Sequence, residues 1–197
     1  MHPSTAWDFS TSGAAAMEAV TLNGRRHMQL SDVLTESTRR IRELVHRSVD
    51  GLDLAGLTFR PDARANSIAW LIWHSTRVQD DHVSEIAGGE QAWIAEGWAA
   101  AFGMHPDPSN TGYGHSSEEV GALRPDGPQI LVDYHDAVSD RTLAYLATVD
   151  AGELDRIVDR SYTPPVSVGV RLVSVISDSL QHVGQACYVR GMLDRKT

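Results

Sequence analysis

The sequence holds a single cysteine, Cys187, among 197 residues. One thiol closes no internal disulfide, so the chain does not fit the even-numbered pattern of a stapled secreted domain, and a reducing cytoplasm is the expected setting. No apolar run approaches the roughly 18–20 residues that span a bilayer. The first stretch, MHPSTAWDFSTSGAAAMEAV, has neither a basic start nor a clean apolar core, so no targeting signal and no membrane segment are expected. Positive charge is also scarce: Lys+Arg 17 against Asp+Glu 26 leaves a formal net charge of −9. Such a balance repels polyphosphate backbones and anionic lipid, which removes nucleic acid and membrane surfaces from the expected partners. There is no G-x-S-x-G elbow, no Walker loop, no G-x-G-x-x-G and no C-x-x-C, which sets aside serine-hydrolase and phosphate-cradling chemistry.

Present instead is an ordinary globular composition, 42% hydrophobic and 22% charged, enough to build one core. Residues 1–28 show no sustained period and are expected to form an extension, with Trp7 and Phe9 available to pin it to a domain spanning 29–197. Apolar or small residues then recur at Leu34, Thr38, Ile41, Val45 and Val49, which predicts a helix over Ser31–Asp50. A second helix is expected after Asn66 as N-cap, carrying Ile68, Leu71, Ile72, Val78, Val83 and Ile86 and ending at Gly88-Gly89. The stretch from Gln91 to Gly127 is irregular, with a short helix near Gln91–Phe102 and a capping-box start at Ser116 with Glu119. A third long helix is expected at Pro128–Val149 and a fourth from about Leu172 to Gly191. Four long helices with almost no strand-like alternation predict an all-α four-helix bundle, with a long irregular connection between helices two and three that permits crossovers.

Within this pattern, ionisable groups sit beside apolar faces. Asp178 and His182 are four apart and share a helix face, with Gln185 one turn further and Arg171 two turns before Asp178. His74 follows AWLIW at the edge of the second helix's apolar stripe. An Asp/His pair and a distant His supply one carboxylate oxygen and two imidazole nitrogens, a set suited to Zn²⁺, Ni²⁺ or Fe²⁺ with positions left open. The competing reading is a hydrogen-bonded polar pair capping the core. Asp81 and His82 read as a pocket rim or as a solvated face, Arg171 as an anion receiver or as the partner of Asp178 or an acidic loop residue, and Cys187 as inert packing. The aromatics Trp70, Trp73, Trp93 and Trp98 read as core or interface, and those beside His74 as walls of a ligand pocket.

The strings NSIAWLIWHSTRVQDDHV, GYGHSSEEV, LVDYHDAV and PPVSVGVRLVSVISDSLQHVGQACYVRGML resemble the actinobacterial branch of the DinB-like superfamily, over roughly Leu30–Leu193. That branch includes mycothiol-dependent enzymes, maleylpyruvate isomerase and mycothiol S-transferases among them, and uncharacterised domains. The resemblance implies a DinB-like bundle with a divalent metal at one end, zinc first and nickel or iron as alternatives. The matching ligand positions are His74, Asp178 and His182. Many relatives carry His, and the isomerase type Glu, where this chain has Asp178, whose shorter side chain demands a closer approach or a bridging water. Gln185 matches a residue common beside the site. The implied activity is S-transfer or isomerisation of a small electrophile with mycothiol as cosubstrate, with Arg171 orienting an anionic group, in a cytoplasmic homodimer. A metal-dependent hydrolase on the same site and a non-catalytic ligand-binding or stress-response bundle are the alternatives.

Overall fold

The computed structural model describes residues 28–196, so the expected extension, with Trp7 and Phe9, lies outside the described residues except for Met28. The first long helix, α1 (Leu30–Val49), opens where the Asp32 carboxylate accepts the Gln29 amide at 2.8 Å. It buries Leu34, Thr38, Ile41, Val45 and Val49, the stripe its spacing specifies. After the short α2 (Leu54–Thr58) comes α3 (Ile68–Ala87). Its cap is Ser67 rather than Asn66: Ser67 Oγ accepts the Trp70 amide at 3.2 Å. Both residue types cap well, so sequence alone leaves a one-residue ambiguity. The helix stops at Gly88.

The irregular connection holds α4 (Ala92–Ala95), α5 (Trp98–Ala101) and α6 (Ser117–Ala122). The single helix expected near Gln91–Phe102 is broken in two by Gly97, whose φ of 75° an L side chain rarely adopts. Ser116 and Glu119 form the expected reciprocal box, with amide-to-side-chain distances of 2.7 and 3.3 Å. Then follow α7 (Pro128–Leu146), α8 (Ala151–Asp155), β1 (Ile157–Asp159), β2 (Val166–Ser167) and α9 (Val168–Asp194). The two strands pair antiparallel around the Tyr162–Pro165 break and are the exception to the all-helical expectation among the described residues. α9 runs past Gly191 because its last turn is held on both sides: Leu193 packs against Gly56 of α2, and Arg190 pairs with Asp194 at 2.9 Å.

The long helices α1, α3, α7 and α9 form the bundle. α1 packs on α7 and α9, α3 packs on the same two, and α1 and α3 meet only slightly. α1 and α3 therefore sit across one diagonal and α7 and α9 across the other, while α3 and α7, joined by the long connection, are neighbours. α3 and α9 form the most extensive pair. Most of α3 is buried, including Trp70, Leu71, Ile72 and Trp73. Trp93 of α4, fully buried, meets Trp73 edge-on at 6.0 Å and ties the connection to the core. No helix among the described residues is long and apolar enough to cross a membrane.

Candidate metal centre

The α3–α9 seam brings three expected side chains together. One ligand atom from each of His74, Asp178 and His182 lies within 4.8 Å of the others. His74 stands on the second turn of α3 and is 5% exposed; Asp178 and His182 stand one turn apart in the middle of α9 and are half-buried. The two imidazoles meet edge to face with centroids 4.7 Å apart.

Hydrogen bonds fix what each ring offers. His74 Nδ1 lies 2.5 Å from the Thr111 carbonyl, and His182 Nδ1 lies 2.9 Å from the carbonyl of Asp178. A carbonyl only accepts, so both Nδ1 atoms carry a hydrogen, and in the neutral rings both Nε2 atoms keep a lone pair. This is the arrangement in which a backbone oxygen orients an imidazole ligand through its far nitrogen. Asp178 Oδ2 lies 3.3 Å from His182 Nδ1, whose single hydrogen is already committed to the carbonyl. That buried oxygen has no hydrogen-bond partner. An unsatisfied buried carboxylate oxygen costs free energy unless something positive comes to it. Two imidazole nitrogens and one orphaned carboxylate oxygen, within 4.8 Å of one another, therefore fit a divalent cation in chemistry and number.

Protonation follows from the surroundings. Burial pushes the His74 imidazole below its ordinary range, the Thr111 carbonyl opposes this, and His182 adds to it. His182 is also pulled down by burial, but the carboxylate and carbonyl of Asp178 outweigh that and hold it above its ordinary value.

The other expected residues lie outside this triad. Arg171 does not meet Asp178: its Nη2 stands 3.6 Å from both Glu85 of α3 and Asp159 of β1, the acidic-loop alternative, and its Nε has no partner. Gln185 is exposed one turn beyond His182, with no hydrogen bond to the three. Asp81 accepts from Gln91 at 2.7 Å, and His82 stands 3.7 Å from Asp81. Cys187 is partly buried, which pushes its thiol up and away from nucleophilic use.

Sequence reasoning missed the support behind His74. Arg77 and Asp80, one and two turns further along α3, are both buried and paired at 3.3 Å. Asp80 accepts the amides of Ala92 and Trp93 at 2.8 Å each and the Tyr134 hydroxyl at 2.9 Å. Arg77 donates to the carbonyls of Pro108 and Asn110, to Gln91 and to Tyr134, and its guanidinium lies 4.8 Å over the Trp93 ring. In the same connection His115 accepts from Trp70 Nε1 at 3.2 Å and donates to Asn110 Oδ1 at 3.0 Å, so both of its nitrogens are committed. Trp70 stacks on His74 at 4.6 Å. An Arg and an Asp three apart, just after the apolar run AWLIW, were the available signal.

Comparisons with known proteins bear on the fold and the family. No curated protein matches the sequence. A conserved protein of Enterococcus faecalis, known from a crystal structure, is 30% identical, with a TM-score of 0.77 over 83% of this chain and 96% of that one. The family model described as mycothiol-S-transferase matches residues 33–195. With a bundle of the DinB-like kind and a match running from α1 to the end of α9, the chain belongs to the mycothiol-S-transferase family.

Proposed function

We propose that the protein is a metal-dependent transferase that joins a low-molecular-weight thiol, mycothiol in its own setting, to a small electrophile or isomerises one. Family membership supports the thiol. The observation that carries the metal is the triad, with both Nδ1 atoms tied to backbone carbonyls and Asp178 Oδ2 left without a partner. His74 Nε2, His182 Nε2 and Asp178 Oδ2 would hold the ion, zinc before nickel or iron for two imidazoles and a carboxylate. When bound, such a cation lowers the pKa of a coordinated thiol, so that sulfur attacks as thiolate near neutral pH.

The residues around the triad divide the remaining work. His74 is held neutral by burial and donates its only ring hydrogen to Thr111, so its Nε2 is free for a ligand bond without first losing a proton. Trp70 covers the His74 ring and keeps water from it. Arg171, on α9 two turns from Asp178, has an unbonded Nε and two carboxylates no closer than 3.6 Å, which leaves its donors for an anionic group on the cosubstrate. Gln185, exposed one turn beyond His182, is open to a ligand at the mouth of the centre. The same reading makes the protein a cytoplasmic homodimer. Val173, Leu180 and Tyr188, at 61, 46 and 68% exposure on the outer stripe of α9, supply apolar surface for a second copy.

The test is elemental analysis of the purified protein with and without mycothiol, followed by thiol consumption with a panel of small electrophiles. One zinc per chain and thiol loss that a chelator stops are expected. Thiol transfer at full rate in thoroughly chelated protein would overturn the metal, and metal binding without any thiol consumption would overturn the transferase.

A further inference from the structure

Arg77 lies at the centre of a strap that runs over the candidate centre. Its guanidinium is fully buried, one turn beyond His74 on α3, and three of its donors are spent on the connection: Nε on the Asn110 carbonyl at 3.1 Å, Nη2 on the Pro108 carbonyl at 2.9 Å and on Gln91 at 2.8 Å. The residue after Asn110 is Thr111, whose carbonyl receives His74 Nδ1. A second route starts from the same residue. The Asn110 side chain receives His115 Nε2, His115 receives Trp70 Nε1, and Trp70 lies flat on the His74 ring, 12° from parallel. The strap is pressed close enough that residue 112 must be glycine. Its φ is +89°, and a Cβ there would stand 2.8 Å from Trp73, 3.0 Å from His74 Nδ1 and 3.2 Å from Trp70.

We propose that Arg77 is a positioning residue for His74: by holding the carbonyls of Pro108 and Asn110 it sets the Thr111 carbonyl against Nδ1, and so fixes the tautomer and the ring plane that present Nε2. Arg serves here where Lys would not, because a planar fork reaches several carbonyls at once while an ammonium is a single point of charge. Asp80 supplies the counter-charge that lets the guanidinium stay buried. The consequence for metal binding rests on the reading of His74 as a ligand; the effect on the ring itself does not.

The experiment compares metal-free wild type with Arg77→Lys, Gly112→Ala and Tyr134→Phe. Long-range ¹H–¹⁵N spectra of the histidine rings read the His74 tautomer, and competition with a chelating dye reads the Kd for Zn²⁺. Arg77→Lys is expected to lose the single hydrogen-bonded Nδ1–H state of His74 while His182 keeps its own, and to raise the Kd by about 10–100-fold, as loss of an outer partner of a ligand does. Gly112→Ala, which keeps the Arg77–Asp80 pair but forces Thr111 away, is expected to do the same and serves if Arg77→Lys does not fold. Tyr134→Phe removes a buried partner of Asp80 and Arg77 without touching the strap, and is expected to lose stability with both readouts unchanged. An unaltered His74 state in Arg77→Lys and Gly112→Ala, or an equal change in Tyr134→Phe, would overturn the inference. A changed His74 state with unchanged Zn²⁺ affinity would uphold it and remove His74 from the metal.

Discussion

His182 Nδ1 bonds the backbone carbonyl of Asp178, not its carboxylate, although Oδ2 stands only 3.3 Å away. The helix backbone thus takes the imidazole hydrogen and leaves the carboxylate only an electrostatic contact at 3.3 Å. The side chain is placed where it can serve a ligand while contributing little to the fold, and this separation of roles is measurable.

Asp178→Ala is therefore expected to weaken Zn²⁺ binding by at least about 100-fold, more than the loss of an outer partner would. Its metal-free stability should stay within about 1 kcal/mol of wild type, because what is removed is a partly exposed i, i+4 contact with His182 at 3.3 Å. Gln185→Ala, exposed and unbonded to the three, should leave affinity within a few-fold. Calorimetric titration and urea denaturation of the two variants decide it, and equal affinities would remove Asp178 from the metal.

The buried clamp behaves in the opposite way. Asp80→Ala strands the Arg77 charge in the core and leaves the amides of Ala92 and Trp93 without their acceptor. Breaking one side of a buried pair costs about 3–5 kcal/mol. The expected result is a large fall in the denaturation midpoint, against a small one for Asp178→Ala. A comparable midpoint for the two would contradict the division between structural and ligand carboxylates.

The placement of the triad's residues was legible in part because helix periodicity makes a rigid ruler. Their grouping as a ligand set came from the family resemblance, since spacing alone leaves a polar pair capping the core equally open. Asp178 and His182 at i, i+4 had to share a face, and His74 fell at the edge of an apolar stripe. The same ruler gave the four long helices to within a few residues. Arg77 and Asp80 were not legible as a clamp because their partners come from a connection without period. Whether Asn110 and Pro108 return over α3 depends on turns such as the one at Gly97 and on the burial of Trp93, which spacing does not encode. Arg171 was ambiguous for a related reason: its acidic neighbours are Glu85, on another helix, and Asp159, on a hairpin too short to announce itself by alternation.

Arg171→Gln tests the anionic contact. With the metal ligands untouched, zinc content should remain that of wild type. The KM for the thiol cosubstrate should rise about tenfold, the loss of one charge-assisted contact, while kcat changes little. A fall in kcat at constant KM would place Arg171 in the reacting site instead.

His135 gives a pH signature independent of the metal. It is fully buried on α7 against Thr76, whose hydroxyl donates to the Ile72 carbonyl at 2.8 Å and therefore receives His135 Nδ1–H at 3.1 Å. Nε2 then carries only a lone pair, which has no partner, and that costs less than a stranded N–H. Burial pushes its pKa down to about 4 from 6.5. The folded protein thus refuses a proton that the unfolded chain accepts. Above pH 6.5 neither state is protonated and the group has no effect. As pH falls from 6.5 toward about 4 the unfolded state gains the proton first, so stability drops, by up to about 3 kcal/mol, and levels off once both states are protonated. His135→Leu should lack this component, so in urea denaturation from pH 7.5 to 4.5 the stability of wild type minus that of the variant should fall as the solution becomes acid, whatever constant offset the substitution brings. Parallel curves would show that His135 takes up its proton in the fold as easily as in water.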